Sequence, residues 1–269
     1  MDLRAKNDRL GEILREMDQV VVAFSAGIDS TFVLARALEE LGNKVLAVTA
    51  ASETFPDREL NEAIELAKHL GARHEIIQIR EMENPDFVAN NPDRCYHCKA
   101  GLYNSLTSLA TERGIPWILD GANMDDLGDY RPGRKAAKEY KIRSVLQEAQ
   151  LYKEELRQLA RDMGLPNWDK PSFACLSSRI PYGSLITLEK VEQLDRGEEA
   201  LRTMGFRQLR IRHHDTIARI EVPREEFIKV LDRANEITEI LKAEGFTYVT
   251  LDLQGYRSGS MNENLLKVL

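Results

Sequence analysis

Short apolar runs alternate with longer amphipathic segments along the first half of the chain. Apolar runs of strand length occupy residues 20–24, 44–48, 74–78 and 117–119. Segments of helical length and spacing occupy residues 3–17, 31–41, 58–70 and 99–113. Buried strands that alternate with such helices are typical of a parallel sheet with helices on both faces. We therefore expect a doubly wound α/β fold whose first three strands form a nucleotide-binding unit.

The pattern changes in the second half of the chain. A predicted helix at 153–163 is followed by a proline-containing segment, residues 167–184, which we expect to be a long functional loop. Beyond that loop, the pattern predicts helix 188–204, strands 208–212 and 217–222, helices up to residue 244, and strand 248–253. We place a domain boundary near Ser184. Residues 1–184 then form the α/β domain, and residues 185–269 form a smaller α+β domain.

Composition and charge narrow the class of protein. A hydrophobic fraction of 43% with 30% charged residues is typical of a globular domain. The net charge of −7 argues against a nucleic-acid partner. No apolar run approaches the roughly 20 residues of a membrane span, and the first ten residues lack a signal-peptide core. Three cysteines make an odd number, which favours a reducing cytoplasm over a disulfide framework.

The segment SAGIDST, residues 25–31, lies between a predicted strand and a predicted helix. Such a turn directs backbone N–H groups and the positive end of a helix dipole toward one point, which suits phosphate. Hydroxyl groups of Ser25, Ser30 and Thr31 can add donors, and Asp29 can hold the Mg²⁺ that accompanies ATP. The alternative is a plain strand-to-helix turn with Ser30 as the N-cap.

The same segment lacks the lysine of a Walker loop, so it is not a P-loop of that kind. It resembles the PP-loop, SGGxDS, of ATP pyrophosphatases, which cleave ATP between the α- and β-phosphates and adenylate a substrate. Ala26 replaces the second glycine of that pattern. If the position has a left-handed backbone, alanine there costs about 1–2 kcal/mol, while its N–H donor is kept.

A second polar segment, residues 120–126, follows the predicted strand 117–119. It should therefore lie at the carboxyl edge of the sheet, where doubly wound folds bind ligands. Asp125 and Asp126 can face the nucleotide or a metal there, although an Asp-rich helix start has the same sequence. The predicted ATP-binding residues are Ser25, Ala26, Gly27, Asp29, Ser30, Thr31, Gly121 and Asp125.

The three cysteines are all predicted to lie in loops. Cys95 and Cys98 form a C-x-x-C pair just before a helix, and Cys175 lies in the proline-containing loop. Basic residues flank them, and cationic neighbours favour the thiolate. The spacing alone leaves four interpretations: a [4Fe–4S] cluster with one open iron, a zinc site with His97 or water, a redox pair separate from Cys175, and inert cysteines.

Four further motifs extend the family resemblance over nearly the whole chain. They are DGANMDDLGDYRPGRKAA (120–137), WDKPSFACLSSRIPYG (168–183), RQLRIRHHDTIARIEVP (207–223) and LDLQGYRSGS (251–260). With the PP-loop, they resemble the ATP-dependent sulfur transferases that make the nickel-pincer nucleotide, the cofactor of lactate racemase. The resemblance implies the PP-loop ATP pyrophosphatase fold and a homo-oligomer.

The resemblance also implies a substrate, pyridinium-3,5-biscarboxylic acid mononucleotide, whose carboxylates become thiocarboxylates. A substrate carboxylate attacks the α-phosphate of ATP, pyrophosphate leaves, and sulfur then displaces AMP. The PP-loop fits this chemistry because it can stabilise charge on the departing pyrophosphate.

Cys175 matches the sulfur-bearing position of this family. Members with that cysteine alone sacrifice its sulfur and end as dehydroalanine. With Cys95 and Cys98 added, this chain resembles the subgroup in which all three thiolates hold a [4Fe–4S] cluster that carries a sulfide. The resemblance therefore implies sulfide or another sulfur donor as a partner, and leaves the sacrificial route as the alternative.

The predicted strand 208–212 alternates apolar and basic residues, so Arg210 and Arg212 should share one strand face. Paired guanidinium groups suit phosphate and carboxylate ligands, although an exposed strand face is often simply charged. Glu221 and Arg257 match family positions as well. The predicted substrate-binding residues are Arg210, Arg212, Glu221 and Arg257.

Three other functions compete with sulfur transfer to the pyridinium nucleotide. A PP-loop tRNA thiolation enzyme would also use three cysteines, but would need a basic surface. An amidotransferase-like synthetase that uses ammonia would leave the paired cysteines without a role. A non-catalytic nucleotide sensor would bind ATP without releasing AMP and pyrophosphate.

Overall fold

The computed structural model describes residues 2–128, 132–257 and 259–262. Positions 129–131 of the second motif and Ser258 of the last motif lie outside these residues. The chain forms two compact units. The first consists of Met1–Glu81 with Cys95–Phe173, and the second of Met82–Arg94 with Ala174–Leu269. The functional division into domains 1–184 and 185–269 stays a prediction.

The strands and helices follow the predicted alternation. The strands are β1 (Val20–Ala23), β2 (Val45–Ala51), β3 (Arg73–Gln78), β4 (Trp117–Leu119), β5 (Arg210–His214), β6 (Ile217–Glu221) and β7 (Tyr248–Leu251). The helices are α1 (Leu3–Arg15), α2 (Ile28–Leu41), α3 (Asp57–His69), α4 (Pro85–Val88), α5 (Arg94–Arg113), α6 (Gly133–Glu139), α7 (Val145–Glu148), α8 (Lys153–Asp162), α9 (Leu188–Thr203), α10 (Phe227–Asp232) and α11 (Ala234–Ala243).

The first unit is built on a parallel sheet with the strand order β3-β2-β1-β4. Side chains of β1 alternate between two cores. Val20 and Val22 pack with residues of α1, α2 and α8, whereas Val21 packs with residues of α5 and α6. A central parallel strand buried on both faces explains its unbroken valine run. The doubly wound α/β fold is therefore confirmed.

The second unit contains a smaller mixed sheet in the order β5-β6-β7. Strands β5 and β6 are antiparallel, and β7 lies parallel to β6. Helix α9 packs closely on this sheet because Gly197 leaves room: a Cβ atom there would lie 3.1 Å from Ile211 Cδ1 and 3.0 Å from Leu241 Cδ2. The additional α+β layer at the C-terminal end of the chain is confirmed.

One boundary was predicted wrongly, and it bears on the cysteines. Helix α5 begins at Arg94 rather than at Lys99, so Cys95 and Cys98 lie within its first turns and not in a loop. Pro92 is the last helix-breaking residue before α5, and residues 94–100 contain neither proline nor glycine, so the helix can begin at Arg94.

Among the residues that the structure describes, no helix is long and apolar enough to cross a membrane.

Candidate active site

The PP-loop segment forms a tight turn between β1 and α2. Gly27 is the N-cap of α2, and Ser30 Oγ donates to Gly27 O at 3.0 Å while accepting from Ser25 N at 3.2 Å. The alternative in which Ser30 is the N-cap is therefore wrong. The first turn of a helix leaves its N–H groups without acceptors inside the helix, which makes the start of α2 suited to anions.

Ala26 has a left-handed backbone, with φ of +53°. Its carbonyl oxygen accepts from Asn167 Nδ2 at 3.0 Å and from Lys170 Nζ at 3.4 Å. Asn167 Nδ2 also donates to Thr31 Oγ1 at 2.9 Å, and Thr31 is buried. The proline-containing segment that follows α8 thus stabilises the strained turn through hydrogen bonds to its carbonyl oxygen. Asn167 and Lys170 were missed in the sequence, where only the length of their loop indicated a function.

Gly121 brings the end of β4 directly against the start of α2. A Cβ atom at this position would lie 2.8 Å from Ser30 N and 3.2 Å from the Asp29 Cβ atom. Glycine is therefore required here by close approach of two backbones. The predicted meeting of segments 25–31 and 120–126 at the carboxyl edge of the sheet is what the structure has.

The segment after Gly121 connects Asp29 to the start of α8. Asn123 Nδ2 donates to Asp29 Oδ1 at 3.3 Å, and Asn123 Oδ1 accepts from Asp125 N at 2.9 Å. Asp125 Oδ2 accepts from Lys153 N at 2.7 Å, and Asp126 Oδ2 accepts from Asn123 N at 2.9 Å. Asp125 thus satisfies a backbone N–H group of the first turn of α8.

Lys153 places its ammonium group on the PP-loop helix. Its Nζ atom donates to Asp29 Oδ2 and forms an ion pair with it. This residue was missed in the sequence, although a signal exists. Lys153 is the first residue of α8, where the helix dipole disfavours a cation, so a lysine at that position points to a role beyond helix stability.

The C-x-x-C pair belongs to the first unit, where α6 begins close to it. A Cβ atom at Gly133 would lie 2.8 Å from Lys99 Cγ and 3.3 Å from Cys95 O. Lys99 Nζ lies 5.5 Å from the Tyr103 ring centroid, and the charges of Tyr103 and Cys98 raise the pKa of Lys99. Lys99 therefore stays cationic beside the two cysteines.

The i, i+3 spacing on α5 places both thiols on one helix face, where two sulfur ligands of one cluster can lie. Cys175 belongs to the second unit. Within residues 2–128, 132–257 and 259–262, no three His, Cys, Asp or Glu side chains come together in a metal-binding geometry. The three-thiolate site stays a prediction.

The loop that carries Cys175 is held by guanidinium groups at its backbone carbonyls. Arg179 Nη1 donates to Ala174 O and, at 2.9 Å, to Cys175 O. Two further contacts hold the loop: Arg94 Nη1 donates to Ser177 O at 3.0 Å, and Arg212 Nη1 donates to Ser178 O at 2.8 Å. The Sγ atom of Cys175 lies 3.0 Å from Ser177 Oγ. These contacts fix the backbone around the sulfur atom.

A fully buried ion pair stabilises this arrangement. Arg179 donates to both carboxylate oxygens of Glu198, at 2.8 and 2.9 Å, and both side chains are 0% exposed. Ile211 N donates to the same carboxylate at 3.0 Å. Burial alone would raise the pKa of Glu198, but Arg179, Arg210 and Arg202 lower it to about 2. Glu198 is therefore a fixed anion that links the cysteine loop to β5.

Arg210 and Arg212 are buried, at 5% and 8% exposure, so the alternative of an exposed charged strand face is wrong for them. Burial, followed by repulsion from Arg179, lowers the pKa of Arg210 to about 10, which keeps it cationic at neutral pH. Its guanidinium lies 5.4 Å from the Tyr256 ring centroid. Arg212 donates to Glu221 Oε2 at 2.8 Å.

The remaining predicted substrate residues lie in the same unit. Glu221 is fully buried and accepts from Arg219 at 3.0 Å as well as from Arg212. Arg257 is half-buried in the loop after β7, and its Nη1 atom lies 3.4 Å from Gly255 O. Arg212 also donates to Ser260 Oγ at 2.9 Å, which links that loop to β5. The second unit thus concentrates buried guanidinium groups next to the Cys175 loop.

The β1–α2 turn lies at the carboxyl edge of a parallel sheet, Gly121 packs against it, and Asp29 lies in the first turn of the helix that follows. These features define a PP-loop nucleotide-binding enzyme. Comparison with known proteins agrees, because the asparagine synthase family model matches residues 11–219. The chain is 42% identical to pyridinium-3,5-bisthiocarboxylic acid mononucleotide synthase of Lactiplantibacillus plantarum, over 98% of this chain and 96% of that protein. The chain belongs to the asparagine synthase family of PP-loop enzymes and, within it, to the family of that synthase.

Two other relatives frame this assignment. An uncharacterized protein of Synechocystis is 43% identical over 98% of this chain and 100% of that protein. A tRNA-specific 2-thiouridylase of Halothermothrix orenii is 26% identical over 58% of this chain and 54% of that protein. The predicted family, its adenylating enzyme class and its use of ATP are confirmed.

Replacement of Ala26 by glycine tests the left-handed turn. Relief of about 1–2 kcal/mol of backbone strain is offset by about 0.5–1 kcal/mol from the freer unfolded chain and by about 0.8 kcal/mol from loss of the buried methyl group. We therefore expect Ala26→Gly to change the free energy of unfolding, measured in urea, by less than about 0.5 kcal/mol. The control Ala200→Gly, in the ordinary helical backbone of α9, should lower it by about 1 kcal/mol. A loss at Ala26 as large as the loss at Ala200 would contradict the strain argument.

Replacement of Glu198 by glutamine tests the buried ion pair. A carboxylate whose pKa is lowered on folding stabilises the protein above its unfolded pKa, and that stabilisation is lost as the pH falls through the folded pKa. Unfolding free energy of the wild type should therefore fall between pH 4.5 and about 2. Glu198→Gln should lose about 3 kcal/mol or more at pH 7 and show a flatter decline.

The control for this change is Glu244→Gln, which breaks a surface pair with Arg196 in the same unit. Because exposed ion pairs contribute less than about 1 kcal/mol, the control should be nearly as stable as the wild type. The free energy of unfolding of both variants is measured by chemical denaturation at several pH values. An equal loss of stability in the two variants would contradict a special role for Glu198.

Proposed function

We propose that this protein is an ATP-dependent sulfur transferase that converts the carboxylates of pyridinium-3,5-biscarboxylic acid mononucleotide into thiocarboxylates. The observation that carries the proposal is the 42% identity, over 98% of the chain, to a synthase of the bisthiocarboxylic acid mononucleotide. Two features of the molecule support it. One unit carries the PP-loop, and the other carries Cys175 beside buried guanidinium groups.

The first half of the reaction is adenylation. A substrate carboxylate oxygen attacks the α-phosphorus of ATP, the bond to the bridging oxygen breaks, and its electron pair leaves with pyrophosphate. Backbone N–H groups at the start of α2 donate to the phosphate oxygens and stabilise the charge that develops there. The proposed ATP-binding residues are Ser25, Ala26, Gly27, Asp29, Ser30, Thr31, Gly121 and Asp125. Of these, Thr31 and Gly121 act through the shape of the loop. The Thr31 hydroxyl accepts from Asn167, and Gly121 has no side chain.

Asp29 is the proposed Mg²⁺ ligand, because carboxylate oxygens suit this hard cation. Its two oxygens are engaged by Lys153 and Asn123 in the protein as it stands. Each oxygen keeps a second lone pair beside these contacts, and a metal ion can be ligated there. The Asn123 contact is the longer one, at 3.3 Å.

The second half of the reaction is sulfur transfer, in which a sulfur nucleophile attacks the acyl carbon and AMP leaves. The proposed donor site uses Cys95, Cys98 and Cys175 to hold a [4Fe–4S] cluster. When bound, such a cluster supplies an open iron that carries a sulfide. If Cys175 instead gives its own sulfur, the Cβ–Sγ bond breaks with loss of the α-proton, and dehydroalanine remains.

The guanidinium groups of the second unit are proposed to bind the anionic substrate. Arg210 and Arg212 are buried, so their guanidinium groups are screened less than groups on the surface. Arg257 and Glu221 complete the proposed substrate-binding residues. Cytoplasmic localisation and a homo-oligomeric state also stay proposals.

The likeness to a tRNA 2-thiouridylase supports a second candidate function, thiolation of RNA. The net charge of −7 argues against it, because binding to a polyanion needs compensating basic charge. Release of AMP on addition of bulk tRNA, with no release on addition of the pyridinium nucleotide, would favour this second function.

The proposed substrate is tested by a pyrophosphate and AMP release assay. We expect pyrophosphate to leave ATP in the presence of pyridinium-3,5-biscarboxylic acid mononucleotide, and AMP to form when sulfide is also supplied. Nicotinamide mononucleotide is the matched control, because it keeps the pyridinium ring and phosphate but has no carboxylate to adenylate. AMP formation at the same rate with both compounds would contradict carboxylate activation.

The sulfur source is tested with cysteine variants of anaerobically purified protein. Cys175→Ser should still release pyrophosphate, but it should form no thiocarboxylate and release no AMP by sulfur displacement. Cys95→Ser and Cys98→Ser should lose bound iron and the electron paramagnetic resonance signal of the reduced cluster. A Cys95→Ser protein with a normal cluster would rule out the three-thiolate site. Loss of one sulfur from Cys175 after turnover, found by mass spectrometry, would instead establish the sacrificial route.

A further inference from the structure

A fully buried asparagine, Asn90, lies in the segment between α4 and α5 and has a left-handed backbone with φ of +54°. Asparagine is among the few residues other than glycine that adopt this conformation readily. Although the segment precedes α5 in sequence, it belongs to the second unit. A buried amide side chain needs hydrogen-bond partners, and the loop of Cys175 supplies them.

The amide group of Asn90 bonds to the part of that loop which follows Cys175. Its Nδ2 atom donates to three backbone carbonyl oxygens, those of Ile180 at 3.2 Å, Pro181 at 2.8 Å and Ser184 at 2.9 Å. Two backbone contacts lie beside it. Gly183 N donates to Asn90 O at 3.0 Å, and Ile186 N donates to Val88 O at 3.0 Å. One asparagine therefore fixes the carboxyl end of the loop.

Arg94 extends this contact toward the sulfur atom. Its Nη1 atom donates to Asn90 Oδ1 at 2.6 Å and to Ser177 O at 3.0 Å, and Arg94 is only 2% exposed. The guanidinium group also lies 5.6 Å from the Tyr182 ring centroid. Asn90 and Arg94 thus form one buried polar network that contacts the loop from residue 177 to residue 184.

The network connects the backbones on which two cysteines lie. Arg94 directly precedes Cys95, and Ser177 is the second residue after Cys175. Because consecutive Cα atoms are about 3.8 Å apart, the hydrogen bond from Arg94 to Ser177 O keeps the start of the C-x-x-C helix near the loop backbone. Arg179 also contacts Cys175 O, but it belongs to the loop itself and cannot set this spacing.

We propose that Asn90 and Arg94 are positioning residues of the sulfur-donor site, which set where the Cys175 sulfur lies relative to the start of the C-x-x-C helix. They act through the loop backbone and exchange no proton or bond with the sulfur. The inference rests on the sulfur-transfer half of the proposed function. It applies to both sulfur sources, because a cluster ligand and a sacrificial thiol each require a fixed Cys175.

Hydrogen exchange tests the loop contacts in the full chain without metal. Asn90→Gly removes the amide group and keeps the left-handed backbone, which glycine adopts freely. Loss of these hydrogen bonds should speed exchange of the Gly183 and Ile186 N–H groups about tenfold or more. Asp215→Gly is the matched control, because Asp215 is also left-handed but exposed in the β5–β6 turn of the same unit. It should leave both rates unchanged.

The donor site is tested with anaerobically reconstituted protein. In Asn90→Gly and Arg94→Met, loss of iron to a chelator should quicken about tenfold or more, and the electron paramagnetic resonance signal of the reduced cluster should change. Arg94→Lys should restore part of both, because lysine keeps a cationic donor for Ser177 O. Arg233→Met is the control: Arg233 donates to Met204 O at 2.9 Å in the same unit, and its loss should leave the cluster unchanged.

Equilibrium binding of ATP separates positioning from misfolding. The PP-loop belongs to the first unit, so the Kd of ATP measured by calorimetry should change less than about twofold in every variant. If Asn90→Gly does not fold, Asn90→Asp removes the amide donor and keeps the acceptor for Arg94. Where the wild type holds no cluster, the rate of dehydroalanine formation at Cys175 is measured instead, and it should fall in the same variants.

Two results would overturn the assignment. Unchanged exchange of the Gly183 and Ile186 N–H groups in Asn90→Gly would mean that the loop does not depend on this asparagine. Faster exchange together with a wild-type cluster and wild-type sulfur transfer would mean that the network stabilises the unit without placing the sulfur. A wild-type protein that forms no thiocarboxylate would instead refute the proposed function, and would leave the exchange result standing.

Discussion

The carbonyl oxygen of Ala26 is the fixed point on which the nucleotide site depends. A left-handed residue between β1 and α2 turns the chain so that the first turn of α2 faces the carboxyl edge of the sheet. That backbone is unfavourable for alanine, and the amide of Asn167 and the ammonium of Lys170 hold it by hydrogen bonds. On the other side, Gly121 allows β4 to approach α2 without a side chain between them. The anion site is therefore a property of three segments packed together.

The loop of Cys175 is organised by the same principle with a different group. Guanidinium donors, rather than amides, fix its carbonyl oxygens, and the buried carboxylate of Glu198 compensates their charge. Both segments are short and irregular, and side chains that reach them from other elements fix their backbones. Rigid support of this kind explains why so many ionisable groups are buried in the second unit.

The fold and the position of the loops followed from the sequence, because hydrophobic period and the strand-to-helix turn are local signals. The start of α5 did not, since a C-x-x-C pair looks the same in a loop and in a helix. The partners of the PP-loop were also missed. Asn167 reaches it through a tertiary contact that no local pattern encodes, and Lys153 was indicated only by its unfavourable place at a helix start. Likewise, Arg210 and Arg212 were recognisable as a pair, but their burial depends on Glu198 and Glu221, which are far apart in sequence.

The contact between Ala26 and Asn167 spans 141 positions. Closing so long a loop carries an entropic cost, and the strained turn has no support until that loop is closed. During synthesis, the PP-loop sequence is finished at residue 31. Its turn nevertheless lacks the hydrogen bonds from Asn167 and Lys170 until residue 170 has emerged from the ribosome. The competence of this chain to take up nucleotide arises only when the last part of its first unit arrives.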